Sequence, residues 1–235
     1  MNVQNLLNNY LAEQQEKRSH RKGSGKITPS SLGQCFRRQY WRRSGEEASN
    51  PPDERALRVF AAGNLFHDFV QDLLPEHETE VKVETEDIVG YADIVTEDEV
   101  IDIKSQHSKA FWYMKDEDIS ETKFANILQV MTYALLLQKP FGVLVFISKD
   151  DLCIKQYYFK LEEWREKVEE ELAVVRKLWS EGELPPAEPR LYKQKDGSYK
   201  EGQYCQFRNK CLDLGWDCVR MKNVKPKKKD SSCKQ

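Results

Sequence analysis

Val89-Gly90-Tyr91-Ala92-Asp93-Ile94-Val95 and, after Thr96–Glu99, Val100-Ile101-Asp102-Ile103-Lys104-Ser105 are the two runs on which the fold turns. Both are β-rich, yet each carries charge where a strand core calls for apolar side chains. Ile101 and Ile103 alternate with Asp102 and Lys104. A strand of period two therefore sets Asp102 and Lys104 side by side on one face. A neighbouring antiparallel strand ending near Asp93 brings a second carboxylate to the same place. Two carboxylates beside an ammonium suit a hard divalent cation and a polarised water, the apparatus of metal-assisted phosphodiester hydrolysis. Taken alone, the same pattern also describes a surface hairpin with alternating charges.

Outward from this pair, a strand at Glu80–Glu84 precedes the two runs, which themselves read as strands at Ile88–Val95 and Val100–Lys104. Upstream, the sequence predicts an amphipathic helix over Val3–Glu16 and a basic loop to Lys26. A helix capped at Thr28-Pro29 runs through Arg43. Beyond the break at Asn50-Pro51-Pro52, a long helix over Asp53–Leu74 has Leu57, Phe60, Ala61, Leu65, Phe69 and Leu73 on its apolar side. Downstream come a helix over Glu121–Gln138, strands at Gly142–Ser148 and Leu152–Lys160, and a charged helix over Glu162–Glu181 ending at Gly182. The order describes an α/β core with helical flanks.

The 235 residues suffice for one domain with an appendage, and the net charge of −2 speaks neither for nor against nucleic acid. The distribution says more. Basic residues gather at Lys17–Lys22, at Arg37, Arg38, Arg42 and Arg43, and at Lys225–Lys229, whereas Glu76–Glu99 and Glu162–Glu171 are acidic. Such asymmetry fits a chain with one anion-facing side, or solvated faces and tails. The absence of a long apolar run or a secretory leader points to a cytoplasmic protein without a membrane partner. Six cysteines in that compartment favour metal or cluster ligation, or burial, over disulfides.

Two further pairs stand four residues apart on helices. Gly63 and His67 share one face, where the imidazole would join Asp93 and Asp102 on a metal and the glycine would leave room for a phosphate or another backbone. Gln129 and Tyr133 share another, an amide and a phenol able to hold a phosphate or orient Lys104. In order, Gly63-x-x-x-His67, Gly90-x-x-Asp93, Asp102-Ile103-Lys104 and Gln129-x-x-x-Tyr133 fall on helix, strand, strand and helix. From Pro29 to Cys218 the chain thereby resembles the RecB-type nucleases of the PD-(D/E)XK superfamily. Within that group it looks like the compact CRISPR-associated exonucleases of the Cas-four kind and their phage and mobile-element relatives.

The resemblance implies a restriction-endonuclease-like α/β core and a metal-dependent deoxyribonuclease. His67, Asp93, Asp102 and the carbonyl of Ile103 would ligate Mg²⁺ or Mn²⁺, Lys104 would handle the attacking water, and Gln129 and Tyr133 would organise the site. It also implies exonucleolytic cleavage of single-stranded or frayed DNA ends in the 5′ to 3′ direction, in recombination, repair, phage replication or CRISPR adaptation, with protein partners there. The alternatives are a structure-selective endonuclease on the same fold and a non-catalytic DNA-end-binding assembly module. In the cluster-bearing branch one cysteine precedes the core and a C-x₂-C-x₅-C group follows it. Here Cys35 matches the first, Cys205 and Cys211 match the x₅ pair, and Gly202 stands where the remaining cysteine would be. With Cys218 in its stead, the four would hold a 4Fe–4S cluster, zinc, or nothing. Arg37, Arg38, Tyr40, Arg42 and Arg43 are candidates for a DNA-facing surface, or for a charged helix whose aromatic residues pack inward. The division expected is an N-terminal helical segment (1–50), a nuclease core (51–182), a cysteine-containing segment packing back on the N-terminal part (183–220) and a basic tail (221–235).

Overall fold

The computed structural model describes residues 1–19, 24–73, 77–116, 119–192, 194, 199–216 and 218; most of the basic loop at 20–23 and the tail with Lys225–Lys229 and Cys233 lie outside them. The centre is a five-stranded mixed sheet in sequential order: β1 (Glu78–Glu84), β2 (Val89–Val95), β3 (Glu99–Gln106), β4 (Phe141–Ser148) and β5 (Ile154–Lys160). β1, β2 and β3 form an antiparallel meander, β3 and β4 pair in parallel, and β5 returns antiparallel. A parallel pair cannot be closed by a tight turn. The crossover from β3 to β4 contains the short helices α4 (Ser108–Trp112) and α5 (Ile119–Thr122) and then α6 (Phe124–Leu136), which packs on both strands.

The sheet is covered on both sides. Ile127, Leu128 and Met131 of α6 pack with Val100, Leu144 and Phe146 and with Trp164, Val168 and Leu172 of α7 (Leu161–Ser180). On the opposite side Ile94, Ile101, Ile103, Val143, Val145 and Ile147 meet Phe66 and Val70 of α3 (Glu54–Gln71). β3 thus places Ile101 and Ile103 toward α3. The period of two turns Asp102 and Lys104 the other way, as its alternation predicts. The N-terminal helix α1 (Val3–Ser19) lies against α3. Among the described residues no helix is long and apolar enough to cross a membrane.

Two sequence expectations need correction. The apolar side of α3 is not the one expected: Phe60, Leu65, Phe69 and Leu73 are exposed, while Phe66 and Val70 reach the core. Helical periodicity fits either stripe of this apolar helix, and the sheet chooses the one that also carries His67. The helix expected from Pro29 to Arg43 is broken into a 3₁₀ turn at Pro29–Ser31 and α2 (Phe36–Ser44). Gly33 breaks it, with φ at +73° and a Cβ direction that would end 2.9 Å from the Cα of Ala125 on α6. That close approach seats the N-terminal loop on α6. Gly33→Ala should therefore combine left-handed strain with a backbone clash and lower stability by about 1–3 kcal/mol in urea unfolding; an unchanged midpoint would contradict this account.

Candidate active site

β2 and β3 are registered through Ile94 opposite Ile101 and Val95 opposite Val100, which carries Asp93 to the level of Asp102. There the ladder gives way to a side chain: the backbone N–H of Ile103 donates to Asp93 Oδ2 at 2.8 Å. Asp102 is 2% exposed, and Lys104 Nζ lies 2.7 Å from its Oδ1 and 2.6 Å from its Oδ2. From α3, His67 Nδ1 stands 3.5 Å from Asp93 Oδ2. Helix and two strands thus bring His67, Asp93, Asp102 and Lys104 together, with the Ile103 backbone held between the carboxylates.

Burial dominates the electrostatics. It pushes Asp102 up to about 6, with the Asp93 charge adding to the rise and Lys104 opposing it. Asp93 is also raised by burial, against the pull of Lys104 and the Ile103 N–H. Burial, then the Lys104 charge, lowers His67, so its imidazole is neutral near pH 7 and keeps a lone pair for a ligand. A neutral imidazole, two carboxylates and a backbone carbonyl make a donor set that fits Mg²⁺ or Mn²⁺. Asp102 Oδ2 is a buried acceptor whose partner is the Lys104 ammonium at 2.6 Å. Yet no three His, Cys, Asp or Glu side chains among those residues stand ready as they are to enclose a metal ion. Lys104 occupies Asp102, and the Ile103 N–H and His67 Nδ1 both lie against Asp93 Oδ2.

Tyr133 is buried on α6 with its hydroxyl at the β2 backbone, where Tyr91 N–H is its partner. Burial and then Asp102 raise it well above the usual phenol range, so it stays a neutral group near the carboxylates. Gly90 is explained by this contact, since a Cβ there would collide with the Tyr133 hydroxyl. Gln129 lies half-buried one turn earlier, and its side chain makes no hydrogen bond among the described residues. Gly63 is not a steric necessity: its missing Cβ would meet only Ser105 Oγ, at an ordinary 3.7 Å.

The cysteines converge elsewhere. Cys205, Cys211 and Cys218 share a buried cluster with Trp41, Ala187 and Phe207, and buried Cys35 is near enough to act on Cys218 electrostatically. Backbone N–H groups of Glu188 and Phe207 point at the sulfurs of Cys35 and Cys205, at 3.3 and 3.5 Å. Burial pushes Cys35 up to about 11. Cys211 is held down at about 6 by a hydrogen bond from Cys218, with Arg37 assisting, and Cys218 is raised by the same bond. A Cβ on Gly202 would fall 3.0 Å from the Cys218 sulfur and closer still to its backbone. Cys218 therefore fills the space that a residue-202 side chain would need.

The arginine expectation is corrected in large part. Arg37 is 4% exposed, donates from Nε to the Pro185 carbonyl at 2.6 Å and lies over Trp216. Arg38 pairs with buried Glu201, Tyr40 packs on Trp179 at 5.1 Å, and Arg43 donates to Gly25 O and covers the same Trp179. Of the five, Arg42 alone is exposed. Arg37 and Arg38 fasten the C-terminal segment to α2, and Tyr40 and Arg43 fasten α7 to it, because guanidinium planes also stack on indoles. The sequence reading also missed Glu201 and Glu171, because a carboxylate on a charged segment reads as solvated even beside buried Val175 and Cys205. Glu201 accepts from the N–H groups of Cys35, Arg190 and Leu191, and Glu171 from Gly33 N and the Arg190 guanidinium.

No protein-family model matches the chain, and no curated protein matches it. Solved structures do. SSO0001 is similar with a TM-score of 0.57 and 21% identity over 90% of this chain and 96% of that one. LHK-Exo, the alkaline exonuclease from Laribacter hongkongensis, is similar in its complex with dAMP, with a TM-score of 0.50 and 15% identity over 67% of this chain and 89% of that one. What is shared at these identities is the fold: a mixed five-stranded sheet flanked by helices, the architecture expected for the restriction-endonuclease-like core.

The buried carboxylate sets a measurable sign. With Asp102 near 6 in the fold and about 3.9 when unfolded, the native state binds the extra proton between those values, so stability falls as pH rises through that window and stays lower above it. Asp102→Asn keeps an acceptor for Lys104 and removes the charge. In EDTA at pH 8 the variant should melt above the wild type, by the equivalent of about 1–3 kcal/mol, with the gap closing by pH 4. A variant that melts lower at pH 8 would refute the assignment.

Proposed function

We propose that this protein is a divalent-metal-dependent deoxyribonuclease that removes nucleotides from single-stranded or frayed DNA ends, in the 5′ to 3′ direction, in the cytoplasm. The observation that carries this reading is Asp102, buried in a central strand, beside Asp93 and His67 with Lys104 in contact. A purely structural strand gains nothing from two adjoining carboxylates that burial pushes toward protonation. The fold it shares with LHK-Exo is consistent with the reading.

In this reading His67, Asp93, Asp102 and the Ile103 carbonyl hold Mg²⁺ or Mn²⁺. A cation there would neutralise phosphate charge and lower the pKa of water at the site. Lys104 would orient the attacking water and meet the charge that develops on the phosphoryl oxygens. The neutral Tyr133 hydroxyl, fixed by Tyr91 and Gly90, borders the carboxylates, and Gln129 stands one turn away to steer the strand. Arg42 remains as a phosphate contact from the basic helix.

The same proposal assigns Cys35, Cys205, Cys211 and Cys218 a 4Fe–4S cluster, with zinc as the other occupant their spacing admits. Their shared burial and the two N–H···S contacts support it. A cluster there would tie α2 to the C-terminal segment and leave the nuclease centre untouched.

His67→Ala, Asp93→Ala, Asp102→Ala and Lys104→Ala should each reduce cleavage at least about 10²–10³-fold while DNA binding persists; an Asp102→Ala protein cleaving at the wild-type rate would end the proposal. End-labelled linear and circular single-stranded DNA, with Mg²⁺, Mn²⁺ or EDTA, separate the rivals. Degradation of linear DNA alone identifies the exonuclease, cutting of circles an endonuclease, and tight binding without cleavage an assembly module. Anaerobically purified protein should be brown and contain iron; a colourless, zinc-loaded protein replaces the cluster with zinc.

A further inference from the structure

Gln71, one helical turn after His67 on α3, does something no motif records. Its Nε2 donates to the backbone carbonyl of Asp93 at 3.0 Å and lies 3.4 Å from Glu80 Oε1. Residues four apart share a helix face, so α3 touches the Asp93 residue twice. His67 meets its carboxylate and Gln71 meets its carbonyl.

Glu80 faces this point from the other side. In the β1–β2 register Thr79 lies opposite Ile94 and Val81 opposite Ala92, which leaves Glu80 at the level of Asp93. Its φ is +49°, a left-handed conformation that is unusual for a non-glycine residue inside a strand. Its charge is felt at His67, Asp93 and Tyr133, which places it at the rim of the same centre. The Asp93 carbonyl and the Glu80 carboxylate are both acceptors only, so both hold the nitrogen end of the Gln71 amide at this point.

We propose that Gln71 is a positioning residue that sets the spacing of His67 and Asp93, and that Glu80 acts through it by orienting its amide. The inference rests on the nuclease reading and adds a helix-to-strand clamp to it. Supporting partners of this kind hold metal ligands in place, and their loss weakens metal affinity about 10–100-fold.

The test is Mn²⁺ binding to the full-length protein by EPR, alongside the Mn²⁺ dependence of cleavage. Gln71→Met keeps length and packing but loses the donor. It should raise the Mn²⁺ half-saturation about tenfold or more, while kcat at saturating Mn²⁺ stays within about threefold. Glu80→Gln retains the acceptor oxygen and should resemble wild type. Glu80→Ala should shift in the same direction as Gln71→Met, and the double variant should be no weaker than Gln71→Met alone. A purely structural role would lower the melting temperature and leave the Mn²⁺ midpoint in place. A Gln71→Met midpoint within about twofold of wild type overturns this inference alone. A wild-type protein that binds Mn²⁺ no better than Asp102→Ala overturns it together with the nuclease reading.

Discussion

A carboxylate in the middle of a sheet must be neutralised, paired or given a ligand, and among the described residues Asp102 is paired with the ammonium of Lys104. Much of the surrounding structure follows from keeping that arrangement dry and aligned. Ile101 and Ile103 anchor β3 to α3, Val100 anchors it to α6, and the parallel pairing with β4 runs the whole length of the strand. The antiparallel partner β2 contributes Asp93 at the matching level, and its carboxylate takes an N–H from β3. The strand's alternation turns Asp102 and Lys104 away from α3, while His67 reaches Asp93 from α3 itself.

The alternation of Ile101-Asp102-Ile103-Lys104 made the centre legible in one dimension, since period two needs no tertiary knowledge. Asp93 followed from the short connection to the next strand. His67 lies against Asp93 because its stripe of α3 also contains Phe66 and Val70. Helical spacing misassigned the apolar side of α3, where Phe60, Leu65 and Phe69 compete with the true core residues and no local signal decides between them. Gly33, likewise, reads as an ordinary helix residue until α6 is in place beneath it. Gln71 and Glu80 were invisible for a different reason: their meaning lies in a bond to a backbone carbonyl and in one φ angle, neither of which a side-chain pattern encodes.

Charge was the poorest guide. The arginine-rich α2 looked like a surface for phosphate, yet Arg37, Arg38 and Arg43 are committed to a carbonyl, a buried glutamate and a tryptophan face. Arg37 and Arg38 help bind residues 183–218 to the N-terminal part, together with Glu171 and Glu201, and Arg43 holds α7 through Trp179. The thiols meet inside that junction. There Cys218 fills the space that a side chain at residue 202 would need.

The central claim is that Lys104 holds a place a metal can take. Crystals grown with Mn²⁺ and measured at its absorption edge test this directly. The account predicts an anomalous peak between Asp93 and Asp102, within reach of His67, with the Lys104 ammonium withdrawn from the Asp102 oxygens. No peak at saturating Mn²⁺, with Lys104 still seated on both oxygens, would contradict it.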